Sequence, residues 1–320
     1  MTQEESQNLE HFFKKTLDDV EKTISDTISD NQIKDILSGG KRLRSLLCNL
    51  AFKACTGGKE SPIKYRKALE GTVSIELAHT ASLVHDDIID HDDERRGKQA
   101  YHKKAGIAKA ILVGHKMLST GFQIALSHSN EVAKLYVDSW NEVVKGEIDE
   151  VDFNKNGIKE KLSTKSQIFE AYYKIIDLKT AALFSSACQA GALEADMSGD
   201  ILGVFRNYGR EIGLAYQLAD DLVDLENGEM IDSVIIPLLN RIEKKPIKVG
   251  SLKDREIRKI FSKNEDKIKA YYIDEIKKHL RNAKKLSQSA LIPNSEYKKL
   301  MQNAPNYIIN RMLSEVNIKV

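Results

Sequence analysis

The chain is organised around one stretch, Asp86-Asp87-Ile88-Ile89-Asp90, which continues as HDDERRGK to residue 98. Residues four apart share one face of an α-helix, so a helix here would place the Asp86 and Asp90 side chains together, with Asp87 beside them. Crowded carboxylates repel each other and gain proton affinity unless a cation neutralises them. Such oxygen ligands suit Mg²⁺, which binds through one or two carboxylates plus substrate phosphates. A solvated acidic helix end is the alternative interpretation.

A second copy of this spacing, Asp220-Asp221-Leu222-Val223-Asp224, lies far along the chain. Residues 213–219 lead into it with the apolar sequence GLAYQLA. A solvated helix face does not need an apolar lead-in, so the second copy predicts acids at the mouth of a buried cavity. Either copy alone is a weak signal. Two copies that face each other could hold several Mg²⁺ ions around one diphosphate.

The composition predicts helices and argues against several functions. Only five prolines occur in 320 residues, and Leu, Ala, Lys, Glu and Ile dominate, which favours helix. The formal net charge of +2 gives no general attraction to nucleic acid or anionic membranes. Three cysteines without C-x-x-C spacing indicate reduced thiols. The polar start and the absence of a long apolar run predict a cytoplasmic protein without a transmembrane segment.

A basic cluster follows the glycine pair at residues 39–40. Lys41, Arg42 and Arg44 are three bases in four residues. At a helix start, where free N–H groups also favour anions, such a cluster can clamp a phosphate. Small basic clusters are also common on ordinary surfaces, so this stretch alone leaves both interpretations open.

Two single residues carry further hypotheses. His79 falls on the helical stripe of residues 75, 79, 82, 86 and 90, either as a ligand or as a satisfied core histidine. Lys179 precedes a smooth alanine-rich run at residues 181–193. A lysine buried there is costly unless it pairs with an anion.

Five motifs in order then suggest a family. They are GGKRLR at 39–44, ELAHTASLVHDDIIDHDDERRGK at 76–98, KTAALFSSACQAGAL at 179–193, YQLADDLVD at 216–224 and ALIPNSEYKKLMQNAPNYIINRM at 290–312. With them, nearly the whole chain resembles the all-trans isoprenyl (polyprenyl) diphosphate synthase family, and is similar to its geranylgeranyl diphosphate synthase-like members. The resemblance implies an all-α fold, with one domain over residues 1–320 and about ten or more helices around a central cavity. It also implies a homodimer.

The resemblance assigns roles to single residues. It implies that three Mg²⁺ ions are held by Asp86, Asp87, Asp90, Asp220, Asp221 and Asp224. It implies that the catalytic residues are Asp86, Asp90, Lys179, Thr180, Gln217 and Asp220. It implies that the substrate-binding residues are Gly40, Lys41, Arg44, His79, Arg95 and Arg96. By the same resemblance, Arg95 and Lys179 would touch the allylic diphosphate, and Thr180 and Gln217 would lie close to the reacting carbons. The pocket for the diphosphate of isopentenyl diphosphate would be formed by Lys41, Arg44, His79 and Arg96.

The implied reaction is the Mg²⁺-dependent, head-to-tail, trans condensation of isopentenyl diphosphate with an allylic diphosphate. Bulky residues four or five places before the first motif keep products short in this family, and Ser82 and Ala81 stand at those places here. We therefore expect geranylgeranyl diphosphate or a longer product, with Phe122 as a candidate tunnel floor.

Departures from the family pattern keep two alternatives open. No lysine or arginine lies between Asp221 and Arg241, where the family usually has a lysine-containing loop. Gly146-Glu147 and Gly114-His115 replace a common Gly-Gln and a common Gly-Asp pair. The chain could therefore be a non-catalytic or regulatory subunit of a heteromeric prenyl synthase. An all-α terpene cyclase is the other alternative, although cyclases usually carry a different second metal motif.

Overall fold

The computed structural model describes residues 2–155, 164–228, 232–245, 247 and 253–320, without the side chains of residues 154, 155, 232, 233 and 254. This part is helical almost throughout, which confirms the predicted all-α class. Its thirteen α-helices are α1 (Gln3–Thr27), α2 (Asn31–Leu37), α3 (Leu43–Thr56), α4 (Pro62–Ile89), α5 (Tyr101–Ala105), α6 (Ile107–His128), α7 (Asn130–Lys155), α8 (Lys165–Ile176), α9 (Ala182–Glu194), α10 (Asp200–Glu226), α11 (Asp232–Ile242), α12 (Asp254–Ser287) and α13 (Glu296–Leu313). The other regular elements are strands β1 (Glu94–Arg95) and β2 (Lys98–Gln99), a π turn (Asp177–Ala181) and a 3₁₀ turn (Ser314–Val316).

Contacts group the chain into two compact units. The first comprises Met1–Trp140, Ser186–Arg206 and Ser287–Met301. The second comprises Asn141–Ser185, Asn207–Leu286 and Gln302–Val320. A single domain over residues 1–320 stays a prediction.

Helix α4 carries the first aspartate motif, and local sequence sets its start. The Ser61 side chain accepts a hydrogen bond from the Lys64 amide at 3.2 Å, which caps the first turn. Pro62 occupies the first helical position, where its missing amide donor is not needed. The helix then runs for 28 residues and delivers Asp86 to its last turn.

A short antiparallel hairpin of β1 and β2 follows α4. Glu94 pairs with Gln99 and Arg95 with Lys98, so Arg96 and Gly97 form the two-residue turn. Both turn residues have positive φ, 54° and 70°. Two-residue hairpin turns of the right twist require this conformation. Arg96, a predicted substrate-binding residue, is therefore held at the tip in a backbone conformation that few side chains adopt.

The core of the first unit packs against one face of α4. Leu77 and Ala81, one turn apart, lie in an apolar cluster with Val113 and Met117 of α6. All four are buried, and Ala81 has no exposed surface. Ala81 is therefore a packed core residue of this unit.

In the second unit, α10 approaches α9 and the π turn very closely. A Cβ atom at Gly213 would lie 2.5 Å from Ala181 Cα, and one at Gly209 would lie 2.3 Å from the Phe184 carbonyl oxygen. Only glycine permits this approach. The contact sets the position of the second aspartate motif, which follows on α10.

Within the described ranges, no helix has both the length and the apolar character needed to cross a membrane. The cysteines Cys48, Cys55 and Cys188 are free, as predicted, and all three are buried.

Candidate active site

In the first aspartate motif, the middle acid is engaged inside the protein. Asp87 is 3% exposed, and its Oδ1 lies 2.6 Å from the Arg95 guanidinium. Burial raises the pKa of Asp87, and the positive charge of Arg95 opposes that shift. Asp86 is half-buried and Asp90 is exposed at the helix end. Asp87 thus orients Arg95, whereas the side chains of Asp86 and Asp90 are more accessible to solvent. The role of Asp87 as a metal ligand stays a prediction.

The predicted pocket for isopentenyl diphosphate contains an arginine–histidine contact. Arg44 Nη1 lies 3.0 Å from His79 Nε2. Burial and the charges of Arg44 and Arg96 hold the pKa of His79 well below its usual range, so the imidazole is neutral. Nε2 therefore accepts the hydrogen bond and the ring proton is on Nδ1. His79 therefore orients Arg44, and its predicted role in binding substrate stays a prediction.

Gly40 leaves room for two guanidinium groups. A Cβ atom there would lie 3.1 Å from Arg42 Nη1 and 3.2 Å from Arg96 Nη1. A side chain at this position would crowd both arginines. The structure thus brings Gly40, Arg44, His79 and Arg96 into one basic region of the first unit, while Lys41 is exposed beside it.

Arg42, by contrast, points into the protein. Its side chain has no exposed surface and its backbone has a left-handed φ of 52°. Nε lies 2.7 Å from Glu21 Oε1, Nη1 lies 3.1 Å from Glu76 Oε2, and Nη2 donates to the Leu37 carbonyl at 2.7 Å. The expectation that all three bases of the cluster could clamp a phosphate is wrong for Arg42, which stabilises the fold.

Arg95 and Arg96 also line a cavity of about 340 Å³. Its wall on α4 includes Leu83, Val84 and Asp87, whereas Asp86 is not among its lining residues. The cavity therefore lies against the side of α4 that carries the middle acid of the motif.

Lys179 and Thr180 sit in the π turn, a wide helical turn that often marks functional sites. Two contacts fix its backbone. Arg210 binds the Asp177 carboxylate with two hydrogen bonds of 2.5 Å. Gly146 of α7 lies directly against the turn, since a Cβ there would be 2.6 Å from the Lys179 amide nitrogen.

The Lys179 ammonium lies between two carboxylates. Its Nζ is 2.8 Å from Glu147 Oε2 and 2.5 Å from Glu150 Oε2. The sequence correctly predicted that this lysine needs an anionic partner, but it did not predict these two. In the sequence, Glu147 stands out only as a departure from the family pattern.

A hydrogen-bond chain connects Thr180 to the second aspartate motif. Thr180 Oγ1 donates to Gln217 Oε1 at 2.6 Å, and Gln217 Nε2 donates to Asp221 Oδ1 at 2.9 Å. The Tyr172 hydroxyl donates to Asp221 Oδ2. Burial raises the pKa of Asp221 to about 7. Sequence reasoning missed Tyr172, which carries no motif signal. As in the first motif, the middle acid is buried and internally bonded, whereas Asp220 and Asp224 are half-buried.

Comparisons with known proteins identify the family. The model of the family described as Polyprenyl synthetase matches residues 26–231. The chain belongs to the polyprenyl synthetase family.

Similar relatives in this family differ in the product that their names give. A geranylgeranyl diphosphate synthase of Methanosarcina mazei and an octaprenyl diphosphate synthase of Escherichia coli are each 32% identical over 201 residues. Each match covers 61% of this chain and 57% of the relative. Among solved structures, a decaprenyl diphosphate synthase from Rhodobacter capsulatus has a TM-score of 0.78 at 20% identity, covering 96% of this chain and 99% of that one. The structural likeness shows a shared fold.

The donor atoms of this family member fit a hard divalent cation. Within the described ranges, no three metal-ligating side chains converge on one point. Mg²⁺ does not require such a cluster, because it usually binds through one or two carboxylates together with substrate phosphates. Asp86 with Asp90, and Asp220 with Asp224, are pairs one helical turn apart that suit this mode.

Proposed function

We propose that the chain is a trans-prenyltransferase that condenses isopentenyl diphosphate with an allylic diphosphate, head to tail. One observation carries the proposal: in each unit, a predicted substrate-site residue is bonded, directly or through one other side chain, to the middle acid of an aspartate motif. In the first unit, Arg95 contacts Asp87. In the second, Thr180, next to Lys179, reaches Asp221 through Gln217. A reaction between two diphosphates needs two cationic sets with divalent metal, and family membership supports the same conclusion.

In this proposal Asp86, Asp90, Asp220 and Asp224 hold Mg²⁺, which when bound neutralises the charge of the leaving pyrophosphate. Arg95 and Lys179 bind the allylic diphosphate and stabilise negative charge on its bridging oxygen as the C1–O bond breaks. The allylic carbon then bonds to the terminal alkene carbon of isopentenyl diphosphate, which loses a proton to the departed pyrophosphate.

The remaining residues position and protect the reactants. Arg44, oriented by His79, and Arg96 hold the diphosphate of isopentenyl diphosphate. The oxygen atoms of Thr180 and Gln217 face the reacting carbons, where they stabilise positive charge. Water must be excluded there to protect the cation, and the apolar lead-in at residues 213–219 serves that purpose.

A product assay on the lone protein tests the proposal. Purified chain is incubated with Mg²⁺, isopentenyl diphosphate and an allylic primer, and the products are separated by chromatography. We expect an elongated prenyl diphosphate, no product with excess EDTA, and recovery when Mg²⁺ is restored, because the leaving group needs charge neutralisation. Turnover that survives complete chelation would contradict the proposal.

The same assay addresses both alternatives. A cyclic hydrocarbon product would identify a terpene cyclase. Inactivity of the lone chain that is restored by adding a partner synthase would identify a regulatory subunit. The specific observation behind the regulatory alternative is the absence of lysine and arginine between Asp221 and Arg241. Residues 229–231 of that segment lie outside the described residues.

We propose geranylgeranyl diphosphate as the product, with a longer polyprenyl diphosphate as the second possibility. The small residues Ala81 and Ser82 before the first motif support a product of this length, but the two side chains have different surroundings. Ala81 is packed against Val113 and Met117, so Ala81→Phe would overpack the core. Ser82 lies on the stripe of His79 and Asp86. Phe122 does not fit the floor role expected for it, because it is 37% exposed and its ring packs near Tyr136.

Replacing Ser82 by Phe is expected to shorten the main product by at least one five-carbon unit. The ring would occupy space along the stripe that an elongating tail follows. Chromatography of products from the variant, with the exposed Ser119→Phe on α6 as control, measures the effect. A product distribution like that of the parent would show that the tail does not pass Ser82.

We further propose a homodimer formed through α6. Its exposed apolar side chains include Ile107, Leu112 and Leu126, each at least half exposed. Several exposed large apolar side chains on one helix favour a protein–protein contact there. Sedimentation equilibrium of the purified chain at two concentrations measures the assembly state.

A further inference from the structure

Glu147 and Glu150 lie one turn apart on α7 and share the face that meets the π turn. The two glutamates and Lys179 together carry a net charge of −1. Their side chains are only 14%, 20% and 23% exposed. The interaction between these charges is therefore screened less than that of an ordinary surface ion pair.

The backbone holds this arrangement in place. A Cβ atom at Gly146 would lie 2.6 Å from the Lys179 amide nitrogen and 2.9 Å from Leu178 Cβ, so α7 rests directly on the π turn. Arg210 fixes the start of the turn through Asp177. Because the backbones of α7 and of the π turn are fixed, an anion can bind Lys179 in only two ways. Either the Lys179 side chain moves away from the glutamates, or its ammonium interacts with the anion and the glutamates together.

We propose that Glu147 is a positioning residue for Lys179, which orients the ammonium toward α7 and lowers its affinity for the allylic diphosphate. The inference rests on the proposed function, in which Lys179 binds that diphosphate. An incoming diphosphate competes with Glu147 for the same ammonium. The neighbouring Asp149 does not take part in this competition, because its carboxylate pairs with Lys174 at 2.8 Å.

The first test measures anion binding without turnover. Calorimetric titration of inorganic pyrophosphate in the presence of Mg²⁺ compares the parent chain with Glu147→Gln, which keeps the side-chain shape and removes the charge. We expect roughly three- to tenfold tighter binding, the effect of one partly sheltered ion pair. Asp149→Asn is the matched control on the same helix and should leave the affinity unchanged. Glu150→Gln acts on the same ammonium and should shift affinity in the same direction if Glu147→Gln fails to fold.

The second test asks whether the effect acts through Lys179. In steady-state kinetics, Glu147→Gln should lower the KM for the allylic diphosphate while kcat changes less than about twofold, since only binding is altered. In a Lys179→Ala background the same substitution should have no effect on pyrophosphate affinity, because coupled residues are not additive.

Three outcomes would overturn the inference. Equal pyrophosphate affinity in the parent and in both glutamine variants would overturn it and leave the proposed function intact. The same tightening in the Lys179→Ala background would show a general charge effect that bypasses Lys179. Absence of Mg²⁺-dependent pyrophosphate binding in every variant would overturn the proposed function and this inference together.

Discussion

Replacing Asp86 by asparagine is expected to lower kcat/KM by about 10²–10³-fold, the size of effect seen when one group that stabilises developing charge is removed. Asp86 is half-buried on α4, one turn from the exposed Asp90. Asparagine keeps the shape of the side chain but loses the negative charge that a divalent cation needs. The fold should be preserved, because asparagine fills nearly the same space at this half-buried position.

The control for this prediction lies seven residues along the chain. Asp93 is exposed and pairs with Lys103 at 2.7 Å, so Asp93→Asn removes a carboxylate from the same acidic run without touching α4. Kinetics at saturating Mg²⁺ and thermal melts are measured for both variants. If Asp86→Asn and Asp93→Asn lose activity equally, the carboxylates of this run act only through their combined negative charge. The specific metal role of Asp86 would then be wrong.

Replacing Glu76 by alanine is expected to destabilise the protein by about 3–5 kcal/mol, the loss typical when one partner of a buried ion pair is removed. The Glu76 side chain is 2% exposed, and it accepts hydrogen bonds from Arg42 at 3.1 Å and Ser45 Oγ at 2.8 Å. Without Glu76, the only carboxylate paired with the buried Arg42 guanidinium among the described ion pairs is that of Glu21. The Glu21 side chain is 45% exposed, so solvent weakens its attraction to Arg42. Urea unfolding followed by circular dichroism measures the change.

The matched control for Glu76 is Glu70, which lies on the same helix. Its pair with Arg66 is solvent-exposed, so Glu70→Ala should change stability by less than about 1 kcal/mol. Since Arg42 begins the segment that carries Arg44, Glu76→Ala should also raise the KM for isopentenyl diphosphate. Equal midpoints for the two variants would mean that the Arg42 network contributes nothing to stability.

Much of the local structure follows from the sequence because it depends on near neighbours. The helical repeat predicts that the residues from His79 to Asp90 at three-to-four spacing share one face of α4. The pair Ser61-Pro62 predicts where this helix begins. The same period does not tell which side of α6 faces inward, because that helix has apolar residues on both sides. The sequence therefore places Phe122 at a buried tunnel floor, whereas its side chain is 37% exposed.

Other features depend on residues far apart in the chain, and single-sequence patterns do not contain them. Arg42 and Arg44 are nearly adjacent in the chain, yet their side chains have different partners. The left-handed backbone at Arg42 and its ion pair with the distant Glu76 direct that side chain into the protein. The Arg44 side chain instead contacts His79. The partnership of Lys179 with Glu147 requires α7 to lie against the π turn, which only the packing at Gly146 reveals.

The π turn also resets the rotational phase between α8 and α9. Tyr172 contacts Asp221, and the ring of Phe184 packs 5.2 Å from that of Tyr216, so both side chains face α10. At about 100° per residue, twelve residues of regular α-helix would leave them about 120° apart, whereas a wide turn that absorbs one residue reduces the difference to about 20°. Deleting one residue from the turn would thus give regular α-helix with about the same 20° difference, so Tyr172 and Phe184 would still face α10. The wide turn that carries Lys179 and Thr180 would be lost, although both helices kept their orientation.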